Sequence, residues 1–303
     1  MRMSNLRNNR RGRRKIFRTV LIYFSTIIAV IFFIFPIYWL IATSLKTRAQ
    51  AFSTPPLFVW EPTLRNFIDI FIKRQTEIEA ITGQELELAT GAETFFYNSF
   101  IVTFSSIAIA TVIGVLAAYS FSRYQPHGTN TLMFFILSTR MLPAIVVAIP
   151  IYFFYRSLGL YNTHIGLILL YTMFNLPFAV WMMKSFFDEV PRDIEQAALV
   201  DGSNPIKVFY KIALPQVLVG LGATIGFLII NVWNEFLFAL LLTERATRTV
   251  PVMIAGTRGE VGINWGLIAA IETLYILPAL VLIFVLQRFL LRGMTFGTVR
   301  GAK

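Results

Sequence analysis

Ionisable and amide side chains inside otherwise apolar runs are the residues of this chain that could do chemistry. Arg140 lies about nine residues into one such run, and Asn231, Asn234 and Glu235 lie near the far end of another, with Trp233 between them. Ionisable groups in hydrocarbon are costly and normally face a cavity or a partner. An aromatic ring beside an amide and a carboxylate suits a sugar, whose apolar face stacks while its hydroxyls form hydrogen bonds. We therefore predict that these five residues line a pathway for a polar solute.

Other roles are open for the same side chains. Trp233 can pack against a neighbouring helix, and Glu235 can be structural or interfacial. Arg140 can be structural by satisfying carbonyls freed beside Pro143. We do not expect an Arg140–Glu235 ion pair, because at about 1.5 Å per residue Glu235 lies about 30 Å beyond Pro215, the inner end of its run, whereas Arg140 lies only about 13 Å into its own.

The sequence lacks the patterns that support catalysis, and we predict no catalytic residues. It has no Gly-x-x-x-x-Gly-Lys-Ser/Thr loop, so it does not cradle a nucleotide phosphate in the usual way. Paired catalytic carboxylates and a nucleophile elbow are also missing. The chain has no cysteine, and its two histidines, His127 and His164, are far apart in sequence. We predict no metal site and no cofactor bound by this chain.

A polar segment between two apolar runs, residues 188–211, predicts two short helices joined at a glycine. Asp193 is expected to cap the first helix, with Gln196 three residues on as its reciprocal partner. Gly202 suits the left-handed turn that ends a helix, and Asn204-Pro205 is typical of an N-cap followed by a first-turn proline. A rigid helix-turn-helix that projects from a membrane indicates a docking surface.

Composition places these elements in a membrane. The chain has 303 residues, of which 56% are hydrophobic and only 14% charged, whereas a soluble domain carries roughly a quarter charged residues. A spanning helix needs about 20 largely apolar residues. We predict an all-α polytopic membrane protein with six transmembrane helices and a projecting helix-turn-helix, its spans lying near 17–43, 95–121, 131–155, 163–187, 212–243 and 264–291.

Basic residues set the predicted orientation. Eight of them precede the first apolar run: Arg2, Arg7, Arg10, Arg11, Arg13, Arg14, Lys15 and Arg18. Such a cluster could bind nucleic acid, but beside a span it is more typical of a cytoplasmic flank. Residues 1–16 are therefore predicted to be cytoplasmic, and six crossings return the tail, 292–303, to the same side. The loop 44–94 then lies outside, and the segment 188–211 inside.

The polar segment resembles the EAA loop of ATP-binding-cassette (ABC) importer permeases. It contains Glu195-x-Ala197-Ala198-x-x-Asp201-Gly202, followed by Ile212-x-Leu214-Pro215, with Ser203 where that family usually has alanine. Further runs resemble the carbohydrate-uptake branch, in particular the six-span permease of maltose and glycerol-3-phosphate type systems: Ser138-Thr139-Arg140-Met141-Leu142-Pro143, Val232-Trp233-Asn234-Glu235-Phe236-Leu237-Phe238-Ala239 and Arg292-Gly293-Met294-Thr295-Phe296-Gly297.

The resemblance implies a non-enzymatic transport subunit in the bacterial cytoplasmic (inner) membrane. Its partners would be a second permease, two copies of an ABC ATPase that uses ATP and Mg²⁺, and an extracytoplasmic solute-binding protein; nucleic acid is not among them. The segment around Ala198–Pro205 would be a coupling helix seated in the ATPase. Glu195 would pair with a basic ATPase residue, and Asp201 would cap or brace the turn at Gly202. The implied coupling residues are Glu195, Ala197, Ala198, Leu199, Asp201, Gly202, Ser203 and Pro205.

Two other function classes compete with this interpretation. A secondary transporter driven by an ion gradient usually carries repeated bundles and carboxylates at mid-membrane, and Glu235 and Glu272 are the carboxylates clearly within a predicted span. A membrane-embedded enzyme acting on lipid or polymer would need a catalytic pair that we do not find.

Overall fold

The computed structural model describes residues 2–71, 92–259 and 262–296, and these are almost entirely helical. Residues 72–91 of the predicted outer loop and 297–303 of the predicted tail lie outside this description. A two-residue antiparallel ladder pairs β1 with β2. The elements in chain order are α1 (Arg2–Ser44), α2 (Arg48–Ala51), α3 (Arg65–Phe71), α4 (Ala92–Arg123), α5 (Thr129–Ser138), α6 (Ala144–Ser157), α7 (His164–Glu189), α8 (Arg192–Val200), α9 (Pro205–Val208), α10 (Leu214–Gln216), α11 (Leu218–Trp233), α12 (Leu237–Leu242), α13 (Val250–Gly256), β1 (Arg258–Gly259), β2 (Gly262–Ile263) and α14 (Trp265–Phe296).

Within the described residues, four helices are long and apolar enough to cross a membrane unaided, and two further pairs are bent. The four are Phe17–Ser44, Ala92–Arg123, His164–Glu189 and Trp265–Leu282. The bent pairs are Thr129–Met141 with Ala144–Ser157, at 88°, and Pro205–Gln216 with Leu218–Trp233, at 74°. The count reaches six spans when each bent pair is taken as one crossing.

The third predicted span, 131–155, is not one helix. A 3-10 turn over Thr139–Met141 ends the first half, and Leu142 adopts extended backbone with φ −70° and ψ 122° before α6 begins at Ala144. Pro143 is the physical reason, because a proline disfavours helical backbone in the residue before it. The chain therefore bends sharply where Arg140 is located.

The fifth predicted span, 212–243, is also interrupted. A π-helical turn over Phe209–Ala213 precedes α10, and α11 begins only at Leu218. That helix ends at Trp233, and the short α12 follows at Leu237. Asn234, Glu235 and Phe236 thus occupy a break between two helices, which hydropathy alone does not reveal.

The chain divides into two compact units, of which the larger comprises Ile70–Ile263 and Leu274–Lys303. Its core is built on the parallel packing of α4 against α7. An alanine Cβ at Gly114 of α4 would lie 2.7 Å from Cβ of Ala179 in α7, so the glycine permits this close approach. One buried cluster joins these helices to the segment before α11; it contains Val115, Ala118, Met183, Phe187, Val190, Phe209, Ala213 and Val217.

The smaller unit, Met1–Asp69 with Asn264–Thr273, is organised around a buried lysine. Lys46 is 2% exposed, and its Nζ donates to the carbonyl of Leu57 at 2.7 Å. The ammonium also lies 4.4 Å from the ring centroid of Trp39 and 4.5 Å from that of Trp60. Burial lowers the pKa of Lys46. The side chain ties the loop after α1 back onto the end of that helix.

Enlarging Gly114 should separate α4 from α7. We expect Gly114→Leu to lower the free energy of unfolding by about 1–3 kcal/mol, the usual cost of overpacking. Thermal unfolding of the chain in detergent measures this. Ala108→Leu, at an exposed position of the same helix, is the matched control and should leave the midpoint unchanged. Equal midpoints for the two variants would contradict close packing at Gly114.

Candidate functional site

The turn between α8 and α9 is closed by backbone hydrogen bonds. The amide of Ser203 donates to Ala198 O at 3.0 Å and that of Gly202 to Leu199 O at 3.1 Å, which is the Schellman arrangement. Gly202 has φ +82°, a conformation that residues with a Cβ rarely adopt. The next helix starts as predicted, because Asn204 Oδ1 accepts from the amide of Ile206 at 2.9 Å and a proline follows it.

The start of α8 differs from the sequence prediction. Its N-cap is Pro191, and no side chain caps it. The Asp193–Gln196 capping pair is therefore wrong; Asp193 lies in the first turn, where its negative charge complements the helix dipole. Asp201 was expected to cap or brace the turn. Its backbone amide does belong to the turn and donates to Ala197 O at 3.0 Å. Its side chain is exposed and makes no hydrogen bond to the turn among the described residues.

Glu195 is the buried residue of α8, and it is held by the end of α4. It is 5% exposed. Arg123 donates from Nε to Oε1 at 2.8 Å and from Nη2 to the same oxygen at 2.6 Å. Tyr119 Oη donates to Oε2 at 2.9 Å. A carboxylate taken out of water needs such partners, because burying an unpaired charge is very costly.

Arg123 connects this carboxylate to the end of α7 as well. Its Nη1 donates to Phe187 O at 2.9 Å and its Nη2 to Val190 O at 3.3 Å. Ser122 Oγ donates to Asp188 Oδ1 at 2.5 Å, and Arg192 Nη2 donates to Ser122 O at 2.6 Å. The guanidinium therefore fastens α4, α7 and α8 together through one group.

This geometry changes the role expected for Glu195. The resemblance implied an ion pair with a basic residue of an ATPase, whereas both carboxylate oxygens are bound inside the chain. Tyr119 and Arg123 were not singled out from the sequence. Their signal was weak: a basic residue at the end of an apolar run is ordinary, and 72 residues separate Arg123 from Glu195.

The helix pair α8 and α9 also presents a set of side chains that are exposed and partly apolar. Leu199 is 44% exposed, Val200 87% and Ile206 66%. Ala197 and Pro205 are also exposed, and Ala198 and Ser203 are partly buried. We call this set the coupling face: Ala197, Leu199, Val200, Pro205 and Ile206. Apolar side chains presented together on a rigid turn suit a protein partner.

Glu235 accepts hydrogen bonds from backbone amides of α12. Its Oε1 accepts from the amide of Phe238 at 2.9 Å and its Oε2 from that of Ala239 at 3.2 Å, so the carboxylate caps the helix N-terminus. Tyr171 Oη also donates to Oε2. This hydrogen bonding favours the structural alternative over a free carboxylate in a pathway.

Trp233 is packed inside the larger unit. It is 4% exposed, its ring stacks on Tyr275 with centroids 5.2 Å apart, and its Nε1 donates to Tyr275 O at 3.3 Å. Phe100 meets it edge-on at 5.1 Å. The ring has no face open to a sugar here, which agrees with the packing alternative.

Arg140 and Glu235 have separate surroundings, as expected. The Arg140 guanidinium carbon lies 5.7 Å from the ring centroid of Phe178. Its Nη1 is buried and, among the described residues, has no hydrogen-bond partner; the expectation that it satisfies carbonyls near Pro143 therefore finds no support at that atom. Asn231 and Asn234 donate to the carbonyls one turn earlier in α11, Phe227 O at 2.9 Å and Ile230 O at 2.8 Å.

The described residues hold no cluster of three or more histidine, aspartate or glutamate side chains suited to a metal. Of the candidates, the coupling residues come together on one turn, whereas among the described residues no side-chain hydrogen bond or ring contact joins the five pathway candidates to one another. Arg140 lies with Phe178, Trp233 with Tyr275, and Glu235 with Tyr171.

Comparison with known proteins gives consistent matches. Residues 110–296 match the profile of the family described as binding-protein-dependent transport system inner membrane component. The chain is 34% identical to a probable ABC transporter permease protein of Sinorhizobium fredii, over 97% of this chain and 98% of that protein. It is also 34% identical to a sulfoquinovosyl glycerol transport system permease protein of Agrobacterium fabrum, over 88% of this chain and 89% of that protein.

A trehalose/maltose transport system permease protein of Thermococcus litoralis is 29% identical, over 95% of this chain and 99% of that protein. Among solved structures, a bacterial ABC transporter involved in the import of the acidic polysaccharide alginate contains a chain that aligns with a TM-score of 0.71. That alignment covers 90% of this chain and 96% of the other at 20% identity, and it shows a shared fold.

Removing the guanidinium should release α8 from its anchor. We expect Arg123→Ala to lower the free energy of unfolding by about 3–5 kcal/mol, because it leaves the Glu195 carboxylate buried without its cation. Arg123→Lys should recover only part of this, since an ammonium lacks the planar fork that makes several bonds at once. Hydrogen exchange of the amides in α8 and thermal unfolding both report the change.

Lys184→Ala provides the control for charge removal. The Lys184–Asp188 pair has the same 2.6 Å separation, with side chains 18% and 41% exposed, and pairs of this kind contribute about 0–1 kcal/mol. If the α8 amides of Arg123→Ala exchange hydrogen at the same rate as those of Lys184→Ala, and the two variants unfold at the same temperature, the buried pair does not anchor α8.

Proposed function

The chain belongs to the family of binding-protein-dependent transport system inner membrane components, and we propose that it forms, with a partner permease, the pathway by which a sugar or sugar-like solute enters the cell. As a member of this family it is a membrane-embedded, non-catalytic permease subunit of an ABC importer. Such an importer works with an ATPase and with a solute-binding protein. The relatives named for sulfoquinovosyl glycerol and for trehalose/maltose transport support a sugar as the cargo.

The observation that carries the coupling role is the anchored turn of α8 and α9. Its coupling face is exposed and apolar, whereas α8 itself is fixed to α4 and α7 through Glu195 and Arg123. An ATPase seated on the coupling face would push against a stiff element. Because the ion pair joins that element to two spanning helices, a displacement at the face would move both of them as one body.

In this proposal Glu195 holds α8 to its own subunit, and the remaining coupling residues shape the turn or contact the ATPase. Gly202 and Ser203 close the turn, and Asn204 with Pro205 starts the next helix. Leu199 makes direct contact with the ATPase together with Ala197 and the apolar neighbours of the coupling face. Ala198 and Asp201 contribute their backbone to the turn.

The proposed topology follows from the basic N-terminal segment. Both termini and the turn of α8 and α9 lie in the cytoplasm, and residues 44–94 lie on the outer side of the bacterial inner membrane. Two ATPase copies bind beneath the two permeases, and ATP and Mg²⁺ are bound by them and not by this chain. The binding protein delivers the solute from the outer side.

A secondary transporter is not favoured. The matches above are to permeases of ABC and binding-protein-dependent systems. Glu235, the carboxylate on which that alternative partly rested, caps α12 and accepts from Tyr171. A group that titrates during each transport cycle would have to break those bonds. In the pathway we therefore assign Trp233 and Glu235 to positioning, and we keep Arg140, Asn231 and Asn234 as candidates for solute contact.

Straining the turn should uncouple transport from ATP hydrolysis. Gly202→Val places a β-branched residue at φ +82° without any steric neighbour within 4 Å, so the change acts on the backbone of the turn. We expect ATP-driven uptake by the reconstituted complex to fall at least tenfold while the chain stays inserted in the membrane.

Gly128→Val is the matched control, because Gly128 has φ +81° and equally empty surroundings before α5. It carries the same backbone strain away from the coupling face. Uptake that falls equally in both variants would contradict a specific coupling role for the turn.

A further inference from the structure

Asn175 and Arg140 each carry one of the buried polar atoms of the larger unit that have no hydrogen bond among the described residues. Asn175 is 6% exposed, and its Nδ2 donates to Tyr171 O at 2.8 Å, whereas its Oδ1 has no partner in the described part of the chain. Arg140 Nη1 is likewise buried and unpartnered there. Buried polar atoms are nearly always hydrogen-bonded. An acceptor and a donor that both lack a partner can therefore share one ligand.

Phe178 relates the two groups to each other. Asn175 and Phe178 are three residues apart on α7 and so share a face of that helix. The Arg140 guanidinium lies 5.7 Å from the Phe178 ring centroid. Phe178 in turn stacks on Phe227 of α11 with centroids 4.1 Å apart. The guanidinium, the aromatic pair and Asn175 therefore belong to one region of the larger unit.

The opposing helix places a further amide at this level. The Phe178–Phe227 stack and the Tyr171–Glu235 hydrogen bond fix how α7 and α11 run past each other. Asn175 lies between Tyr171 and Phe178, and Asn231 lies midway between Phe227 and Glu235. The two asparagines therefore occupy the same depth on facing helices.

That depth is the middle of the span. Asn175 is the twelfth residue of the 26 in α7, about 17 Å from its start at 1.5 Å per residue. Solute sites of membrane transporters commonly lie near the midplane and beside interrupted helices. Here the interruption is the 88° bend between α5 and α6, which carries Arg140.

We propose that Arg140 and Asn175 together bind one hydroxyl group of the solute at mid-membrane. The hydroxyl O–H donates to Asn175 Oδ1, and its oxygen accepts from Arg140 Nη1, so both unmet groups are satisfied by one ligand atom. A carboxylate or sulfonate fits less well, because it has no proton for the Asn175 oxygen. The inference rests on the proposed function and names the residues that recognise the cargo.

Uptake tests the site directly. The complete complex is reconstituted in liposomes and supplied with trehalose, diacetylchitobiose or sulfoquinovosyl glycerol as probes, and uptake is measured per ATP hydrolysed with each probe that the wild type imports. We expect Asn175→Leu to lower this ratio about tenfold, the factor that one hydrogen bond represents. Its thermal stability should stay close to wild type, since Oδ1 has no protein partner to lose.

Thr172→Val is the matched control on the same helix. Its hydroxyl is buried and satisfied by carbonyls, donating to Ile168 O at 2.7 Å and to Ser106 O at 3.3 Å. We expect uptake per ATP to be unchanged in this variant. An equal loss of uptake in both variants would indicate a packing effect and overturn the site.

Thiol labelling gives a readout that does not depend on the transport rate. The chain has no cysteine, so Asn175→Cys introduces a single thiol, and modification by a sulfonatoethyl methanethiosulfonate is read from the mass of this chain. We expect modification during ATP turnover and protection by the imported probe. Ala179→Cys, at a position 0% exposed beside Gly114, should stay unmodified.

The outcomes separate the two proposals. Two results overturn the hydroxyl site and leave the importer function standing. One is that Asn175→Leu takes up solute per ATP as well as the wild type does. The other is that the Asn175→Cys thiol is never modified. A modified thiol together with normal Asn175→Leu uptake indicates bound water only and also overturns the site. If the wild-type complex hydrolyses ATP but imports none of the three probes and no other sugar or polyol, the sugar-importer function itself fails, and the site fails with it.

Discussion

The cost of holding a charge away from water governs the described part of this molecule, and the Glu195–Arg123 pair is where it matters most. A carboxylate on a short helix would ordinarily stay in solvent. Here it is 5% exposed and accepts hydrogen bonds from Arg123 and Tyr119. Because the same guanidinium also binds Phe187 O, the pair ties α8 to the ends of α4 and α7. Without it, the hydrogen bond from Arg192 Nη2 to Ser122 O would still join α8 to α4, but the carboxylate would be buried without its cation.

The same constraint accounts for the other charged groups of the larger unit. Glu235 accepts from backbone amides at the start of α12. Those amides are available because the chain breaks after Trp233 and a new helix starts at Leu237. Arg140 lies at the other break and has an aromatic ring as its described neighbour. One broken span therefore supplies backbone donors to a partly buried acid, and in the proposed site the other leaves a donor for the solute.

Rigidity and access are divided between different parts of the larger unit. The contact of α4 with α7 is close enough to require glycine at position 114, and such packing transmits displacement because it has little free volume. The bends are concentrated in α5–α6 and around α11. A push on the coupling face would then move the packed pair as one body against the bent helices, which is the kind of relative motion that alternating access needs.

The sequence by itself determined the all-helical membrane architecture, the family, the turn at Gly202 and the start of α9 at Asn204-Pro205. These depend on local properties, namely the length of apolar runs, the left-handed backbone that glycine allows and the side-chain cap of a helix. Only the tertiary structure decided that Glu195 binds Arg123 and Tyr119, that Trp233 is packed, and that the Arg140 guanidinium lies near the ring of Phe178. Those facts join residues up to 133 positions apart, as Phe100 and Trp233 are, and hydropathy and turn patterns carry no information on which distant side chains meet when helices pack.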